Sequence, residues 1–218
     1  CEYELVDNEL VYSSAYGALI NGLAACEGYS KAAKLLFDMA GIESAVLSGV
    51  SKSFEGKEGP HMWNAVRIDG DYYYLDCTWD DPVGDDGESV RVYSYFNLND
   101  KMISETHSDF SYDFDCKETK ENYFVKTGRF FEDYDRSDEE ALAKLISREI
   151  NAGEWAVQLR FGSKKAYNNA IKDLIGKERI YNVLLLADKK TTKNISMESI
   201  TYYKDPSQLT LTVVPKPE

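Results

Sequence analysis

No run of about 18 consecutive apolar residues occurs in the chain, so nothing in it reads as a membrane-spanning helix. Positive charge is scarce: 25 Lys and Arg stand against 38 Asp and Glu, a net charge of −13. That balance repels phosphate backbones and anionic lipid heads, which argues against nucleic acid or a membrane surface as partner. Cys-x-x-Cys is missing too. The four cysteines stand at 1, 26, 77 and 116, a spacing that suggests neither a zinc site nor a dithiol redox motif, and a density too low for a disulfide framework. The acidic stretch containing Asp80, Asp81, Asp85 and Asp86 lacks the spacing of an EF-hand and reads as a solvated turn. No internal repeat is found, and no secretory leader opens the chain. Cys1 is the residue type that carries the lipid in processed bacterial lipoproteins, but residues 2–5 read like a structured segment cut midway.

What remains is globular in composition, with 43% hydrophobic and 29% charged residues over 218 positions, enough for one large domain or two small ones. Sixteen tyrosines suit half-buried strands and amphipathic contact surfaces. Residues 13–25 read as a short helix or compact turn leading to Cys26. From Cys26, apolar residues at Tyr29, Ala32, Ala33, Leu36, Met39 and Ala40 recur at helical spacing, and Gly41 is a fitting stop. A strand begins at Ala45. Residues 51–60 form a loop by composition, and 61–68 and 72–79 read as strands joined by Asp69-Gly70, a strong hairpin signal. Residues 93–98 suggest one more short strand. Near residues 116–121 the pattern turns polar, and a domain boundary is placed there, giving domains 1–118 and 119–218. In the second, a capping box at Ser137-Asp138-Glu139-Glu140 precedes a helix to residue 150, and a further helix is expected over 163–175. Strands are expected over 154–161, 181–187, 195–203 and 208–214. The fold class is α+β, with a small α+β unit at the C-terminal end.

A nucleophilic thiol needs a lowered pKa, a base within reach and a group that orients the base. Cys26 falls at an expected helix N-terminus, where the dipole and free N–H groups favour thiolate. Gly28 allows close backbone approach, as a substrate lying across the thiol would require. His61, one of only two histidines, opens the first strand of the hairpin. With a two-residue turn at Asp69-Gly70, Ile68 faces Asp71, Thr78 lies opposite His61, and Asp76 lies one diagonal step away on the same face, roughly 7–8 Å distant at the backbone. A one-residue slip would send every side chain to the other face. Plainer readings stand beside these. A Cys in an Ala-rich segment serves equally as a small hydrophobe, and a His beside a Trp as a structural residue. Asp76 in a Tyr-rich strand needs a partner, because burying an unpaired carboxylate costs several kcal/mol. His107 lies in a polar stretch and is expected at the surface. Cys77 reads as a buried strand residue, and Cys116 has no assigned role.

Three segments add a resemblance. Ala25-Cys26-Glu27-Gly28-Tyr29-Ser30 resembles the nucleophile motif of the bacterial transglutaminase-like superfamily, Gly59-Pro60-His61-Met62-Trp63-Asn64-Ala65-Val66 its His motif, and Tyr74-Leu75-Asp76-Cys77-Thr78-Trp79 its Asp motif. They occur in the family's order, and the resemblance covers about residues 13–100; residues 95–107 resemble a follow-on segment more faintly. It implies a papain-like core, with a Cys-bearing helix packed on an antiparallel sheet that carries His and Asp. It also implies Cys26 as nucleophile, His61 as base and acid, and Asp76 as orienting group. The reaction would be attack on a peptide or isopeptide amide through a thioester, passed to water in a cysteine protease or to an amine in a crosslinking transglutaminase. A non-catalytic binding module that keeps the fold is the third reading, its groove blocked by the 51–60 loop or by the C-terminal domain. No cofactor or metal is implied. The Cys26 N–H is the default oxyanion donor; Tyr16, Asn21 and Trp63 are candidates for a second, and Trp63 and Trp79 for site walls. The partner would be a protein or peptide substrate, with a cell-wall or surface partner in addition, and the expected location is the outside or surface of a bacterium.

Overall fold

Asp69 and Gly70 both take positive φ, 50° and 96°, as the two central residues of a hairpin turn matched to strand twist must. The strands they join pair Ile68 with Asp71 and Asn64 with Leu75, the register that the turn dictates. This is a computed structural model that describes residues 2–3 (backbone alone), 10–53, 56–81 and 92–218. The chain divides into two compact units, Cys1–Tyr123 and Phe124–Glu218. Both mix helices with mostly antiparallel sheet, an α+β fold.

In the first unit, β1 (Glu2–Tyr3) pairs in parallel with β2 (Leu23–Ala24). Between them the expected helix or turn is a single wide turn, Gly17–Asn21. Helix α1 (Cys26–Met39) follows, ending at Ala40 and Gly41. Strands β3 (Ser44–Lys52), β4 (Glu58–Ile68), β5 (Asp71–Leu75) and β6 (His107–Ser108) form an antiparallel sheet in the order β5-β4-β3-β6, with α1 packed on β3 and β4. The expected loop over 51–60 is ladder at both its ends: Val50 pairs with Pro60, Ser51 with Gly59 and Lys52 with Glu58. β5 stops sooner than expected, because from Asp76 the chain turns to bond its own carboxylate. Residues 93–98 contribute one bridge, Leu98 to Tyr74, and no strand. A short helix α2 (Asp100–Ile103) precedes β6, capped by the Asn99 side chain. Leu47, Trp63, Ala65, Tyr74, Tyr95, Leu98 and Ile103 form the buried core on one sheet face.

The division between units falls within α3 (Tyr123–Lys126). The second unit has a sheet β7-β8-β10-β9, built from β7 (Phe130–Phe131), β8 (Val157–Phe161), β9 (Thr201–Asp205) and β10 (Thr210–Val214). Only the β7–β8 pair is parallel. Helices α4 (Glu139–Ala152), α5 (Lys164–Ala170) and α6 (Ile180–Asp188) supply Leu142, Ile146, Ala170, Val183 and Leu184 to a core shared with Val157, Leu159, Leu211 and Val213. The capping box sits earlier than expected, between Asp135 and Asp138. The strand expected over 181–187 is helix α6: Ile180, Val183, Leu184 and Ala187 are its buried residues, at i, i+3, i+4 and i+7. Among the described residues, no helix is long and apolar enough to cross a membrane.

Candidate active site

Cys26 is the first residue of α1. Ala25 before it is extended and offers no side-chain cap to the N–H groups of the first turn. Gly28 does allow close approach, but by the chain itself: a Cβ there would lie 2.4 Å from the Tyr12 carbonyl oxygen. The glycine lets the segment before α1 cross its first turn, a different use from the substrate contact expected of it. Three ties then fix the helix. The Ser30 hydroxyl donates to the Cys26 carbonyl at 2.8 Å. The Asn64 amide of β4 donates to the Ser30 carbonyl at 3.0 Å and to that of Ala45 at 3.3 Å. The Tyr29 hydroxyl donates to Asp81 at 2.8 Å. Asn64 is wholly buried, and it holds the thiol-bearing helix to the strand that bears His61.

His61 Nε2 lies 2.6 Å from Asp76 Oδ2. That leaves Nδ1 as the ring nitrogen available to Cys26, whose thiol and the imidazole act on one another's protonation. Burial pushes the Cys26 thiol up. The hydrogen bond and charge of His61, with the backbone N–H groups of Met62 and Glu27, outweigh burial and bring it below the ordinary thiol range. Burial lowers His61, but Asp76 and Cys26 more than compensate and carry it up to about 9. Asp76 is completely enclosed, which raises its pKa; bonds from His107 and His61 and the charge of both hold it at about 2. The structure thus brings together the three residues singled out in the sequence, with His61 bonded to the Asp76 carboxylate and its charge felt by the Cys26 thiol.

The remaining candidates divide. Trp63 and Trp79 flank the imidazole, with ring centroids 6.1 Å and 5.5 Å from that of His61. Trp63 is wholly buried, and its indole N–H meets no acceptor among the described residues. Tyr16 and Asn21 are exposed at either end of the wide turn before β2. Asp80 and Asp81 serve as acceptors for the Tyr95 N–H and the Tyr29 hydroxyl; Asp85 and Asp86 lie outside the described residues. Cys26, Cys77 and Cys116 are free thiols. Burial, then neighbouring carboxylates, pushes both Cys77 and Cys116 up to about 12, the opposite direction to Cys26.

His107 overturns its expected surface placement. It is 2% exposed, on the edge strand β6, and its Nε2 lies 3.1 Å from the same Asp76 Oδ2. Its chain neighbours are polar, yet its side chain is packed among Trp63, Trp79 and Tyr95. The one usable signal was chemical: Asp76, once buried, has more acceptor capacity than one imidazole fills. His61, Asp76 and His107 hold three ligand-type atoms within 4.8 Å. A zinc ion with arms of 2.0–2.1 Å would keep its ligands roughly 3.3 Å apart. The 2.6 Å contact to one shared oxygen is the geometry of a charge-assisted hydrogen bond instead.

No protein-family model matches the chain. One stretch of 77 residues is 29% identical to the mouse (Mus musculus) Kyphoscoliosis peptidase, covering 32% of this chain and 12% of that protein. The likeness to a protein named as a peptidase is therefore partial.

Proposed function

We infer that the first unit is a thiol hydrolase built on a papain-like core, with Cys26 as nucleophile, His61 as general base and acid, and Asp76 as orienting group. One observation carries this reading: the His61 imidazole stands 2.6 Å from the buried Asp76 carboxylate and acts on the Cys26 thiol at the start of α1. The partial likeness to a peptidase supports the reaction class. The Cys26 sulfur attacks a peptide or isopeptide carbonyl carbon, and the uncapped α1 N-terminus, the Cys26 N–H first, receives the charge that develops on oxygen. The C–N bond breaks as His61 gives its proton to the leaving amine, and a thioester remains. Water then attacks the thioester carbon, His61 takes a proton from that water, and the C–S bond breaks to release the carboxylic acid and the thiol. An amine in place of water would give a crosslinked product.

Alkylation with iodoacetamide at neutral pH, read by peptide mapping, tests the activated thiol. Cys26 is expected to react ahead of Cys77 and Cys116, and His61→Ala to slow it about tenfold or more, the scale of one pKa unit. Equal rates in the two proteins would refute the pairing. Incubation with a Gln-containing protein and a fluorescent amine separates the acceptors: cleavage exceeding amine incorporation is the expected result.

A further inference from the structure

The thiol chemistry uses one of the chain's two histidines. The other, His107, is enclosed more deeply than His61, at 2% against 6% exposure, yet spends its Nε2 on the same carboxylate oxygen. An ionised carboxylate only accepts, so both imidazoles must present N–H to it. Asp76 is then fully satisfied. Oδ2 accepts from His61 and His107, and Oδ1 accepts from the backbone N–H groups of Thr78 at 3.0 Å and Trp79 at 3.2 Å. On the far side of the His107 ring, Nδ1 lies 2.9 Å from the Thr106 hydroxyl, a donor for a neutral ring. Among the described residues, the ionisable groups facing His107 are Asp76, His61 and Tyr95, and the rings of Trp63 and Trp79 pack against it as well. Burial and the nearby His61 charge disfavour a second cation there, and they outweigh the pull of Asp76. The backbone is arranged for this placement. β6 holds His107 opposite Ser51 of β3, and it lies close because Gly49 has no side chain: a Cβ there would come 2.5 Å from the Ser108 carbonyl oxygen.

We propose that His107 is a positioning residue: a neutral imidazole whose Nε2–H holds the Asp76 carboxylate ionised and turned toward His61. The proposal rests on reading Cys26, His61 and Asp76 as a working line, and it adds a fourth member that touches neither thiol nor substrate. Without that donor, Asp76 keeps its burial and loses one of two bonds on the oxygen that serves His61. Its proton affinity rises, its orientation loosens, and the His61 imidazolium loses part of its counterion.

The chain has only two histidines, so nitrogen-15 NMR of the imidazoles resolves each ring. In the wild type, His107 is expected as the neutral Nε2–H tautomer across neutral pH, while His61 stays protonated to about 9. His107→Phe should lower the His61 titration by about one pH unit or more, and the neutral-pH alkylation rate of Cys26 about tenfold with it. His107→Gln, which keeps an N–H donor near the same place, should hold both close to wild type. A charged or Nδ1–H His107 in the wild type overturns the proposal, as does a folded His107→Phe with an unchanged His61 titration. If His107→Phe does not fold, His107→Gln decides: retention of the His61 titration supports the role, and its loss overturns it. A packing role alone would lower thermal stability without moving the His61 titration. Wild-type Cys26 that alkylates like an ordinary thiol removes the hydrolase reading, while the ring-nitrogen measurements still judge His107 independently.

Discussion

Asp76 is wholly enclosed, and its carboxylate would take up a proton far more readily there than in water if nothing answered its charge. Four donors do answer it, and its pKa falls from the ordinary 3.8 to about 2. The sign of the linkage follows. The group binds its proton less readily folded than unfolded, so its contribution to stability is present above pH 3.8 and is lost as pH falls through 2. At about 1.4 kcal/mol per pH unit, that contribution is about 2 kcal/mol. Urea unfolding of wild type and Asp76→Asn at stepped pH should show it: the wild type loses about 2 kcal/mol more than the variant between pH 4 and 2. Parallel curves would mean that the carboxylate is not held in this way. His61 and Cys26 behave differently, because their shifts oppose each other. The raised imidazole stabilises below 6.5 and loses that effect through about 9, while the lowered thiol stabilises above 9.0 and loses it as pH falls through its folded value. A thiolate–imidazolium pair holds the same one proton as a neutral pair, so it forms with little net pH dependence of stability.

At this scale, the residues legible in the sequence were those with local signatures. Cys26 stands where a helix begins, His61 lies on the first strand of a hairpin whose register follows from its turn, and Asp76 comes directly after the second. His107 was not legible. Its partner lies far along the chain, its strand is two residues long, and its polar neighbours suggested water where the fold supplies aromatic rings.

Among the elements, α1 depends on a crossing that leaves no room for a side chain. A methyl group at Gly28 would meet the Tyr12 carbonyl at 2.4 Å and the Ala24 side chain at 2.8 Å, so the first turn of α1 or the segment before it must move. Gly28→Ala is expected to lower stability by about 1–3 kcal/mol, the scale of an overpacked site, and to slow Cys26 alkylation. Gly59→Ala is the control, since nothing lies within 4 Å of a Cβ there. Denaturant unfolding of both variants reads the difference; equal losses would remove the crossing as the cause. The hairpin was legible because Asp-Gly in a two-residue turn admits few alternatives. Helix α6 was not. Val183 to Ala187 is an unbroken apolar run, equally suited to a buried strand, and only Ile180 upstream completes the helical spacing of its buried residues.

For the molecule as a whole, the two units have separate hydrophobic clusters. That of Phe124–Glu218 joins three helices to β8 and β10 and draws its buried members from residues 134–213. A fragment spanning Phe124–Glu218 is therefore expected to fold alone and melt in one cooperative thermal transition followed by circular dichroism. A fragment without a transition would show that its core is incomplete. The sequence changes composition near residue 118, and the two compact units divide between Tyr123 and Phe124. The chain passes from one unit to the other inside the four-residue helix α3, which carries no Gly or Pro to mark the change.

β4 reads differently once its tasks are assigned along the chain. His61 supplies the imidazole, Met62 a backbone N–H to the thiol, Trp63 a wall beside the ring, and Asn64 the clamp on α1. Four neighbouring codons thus spell one instruction, and its meaning depends on reading frame within the sheet. Exchanging one letter damages one task. Inserting or deleting one residue ahead of them turns the side chains of His61, Trp63 and Asn64 to the wrong side at once, so this stretch tolerates spelling changes far better than changes of length.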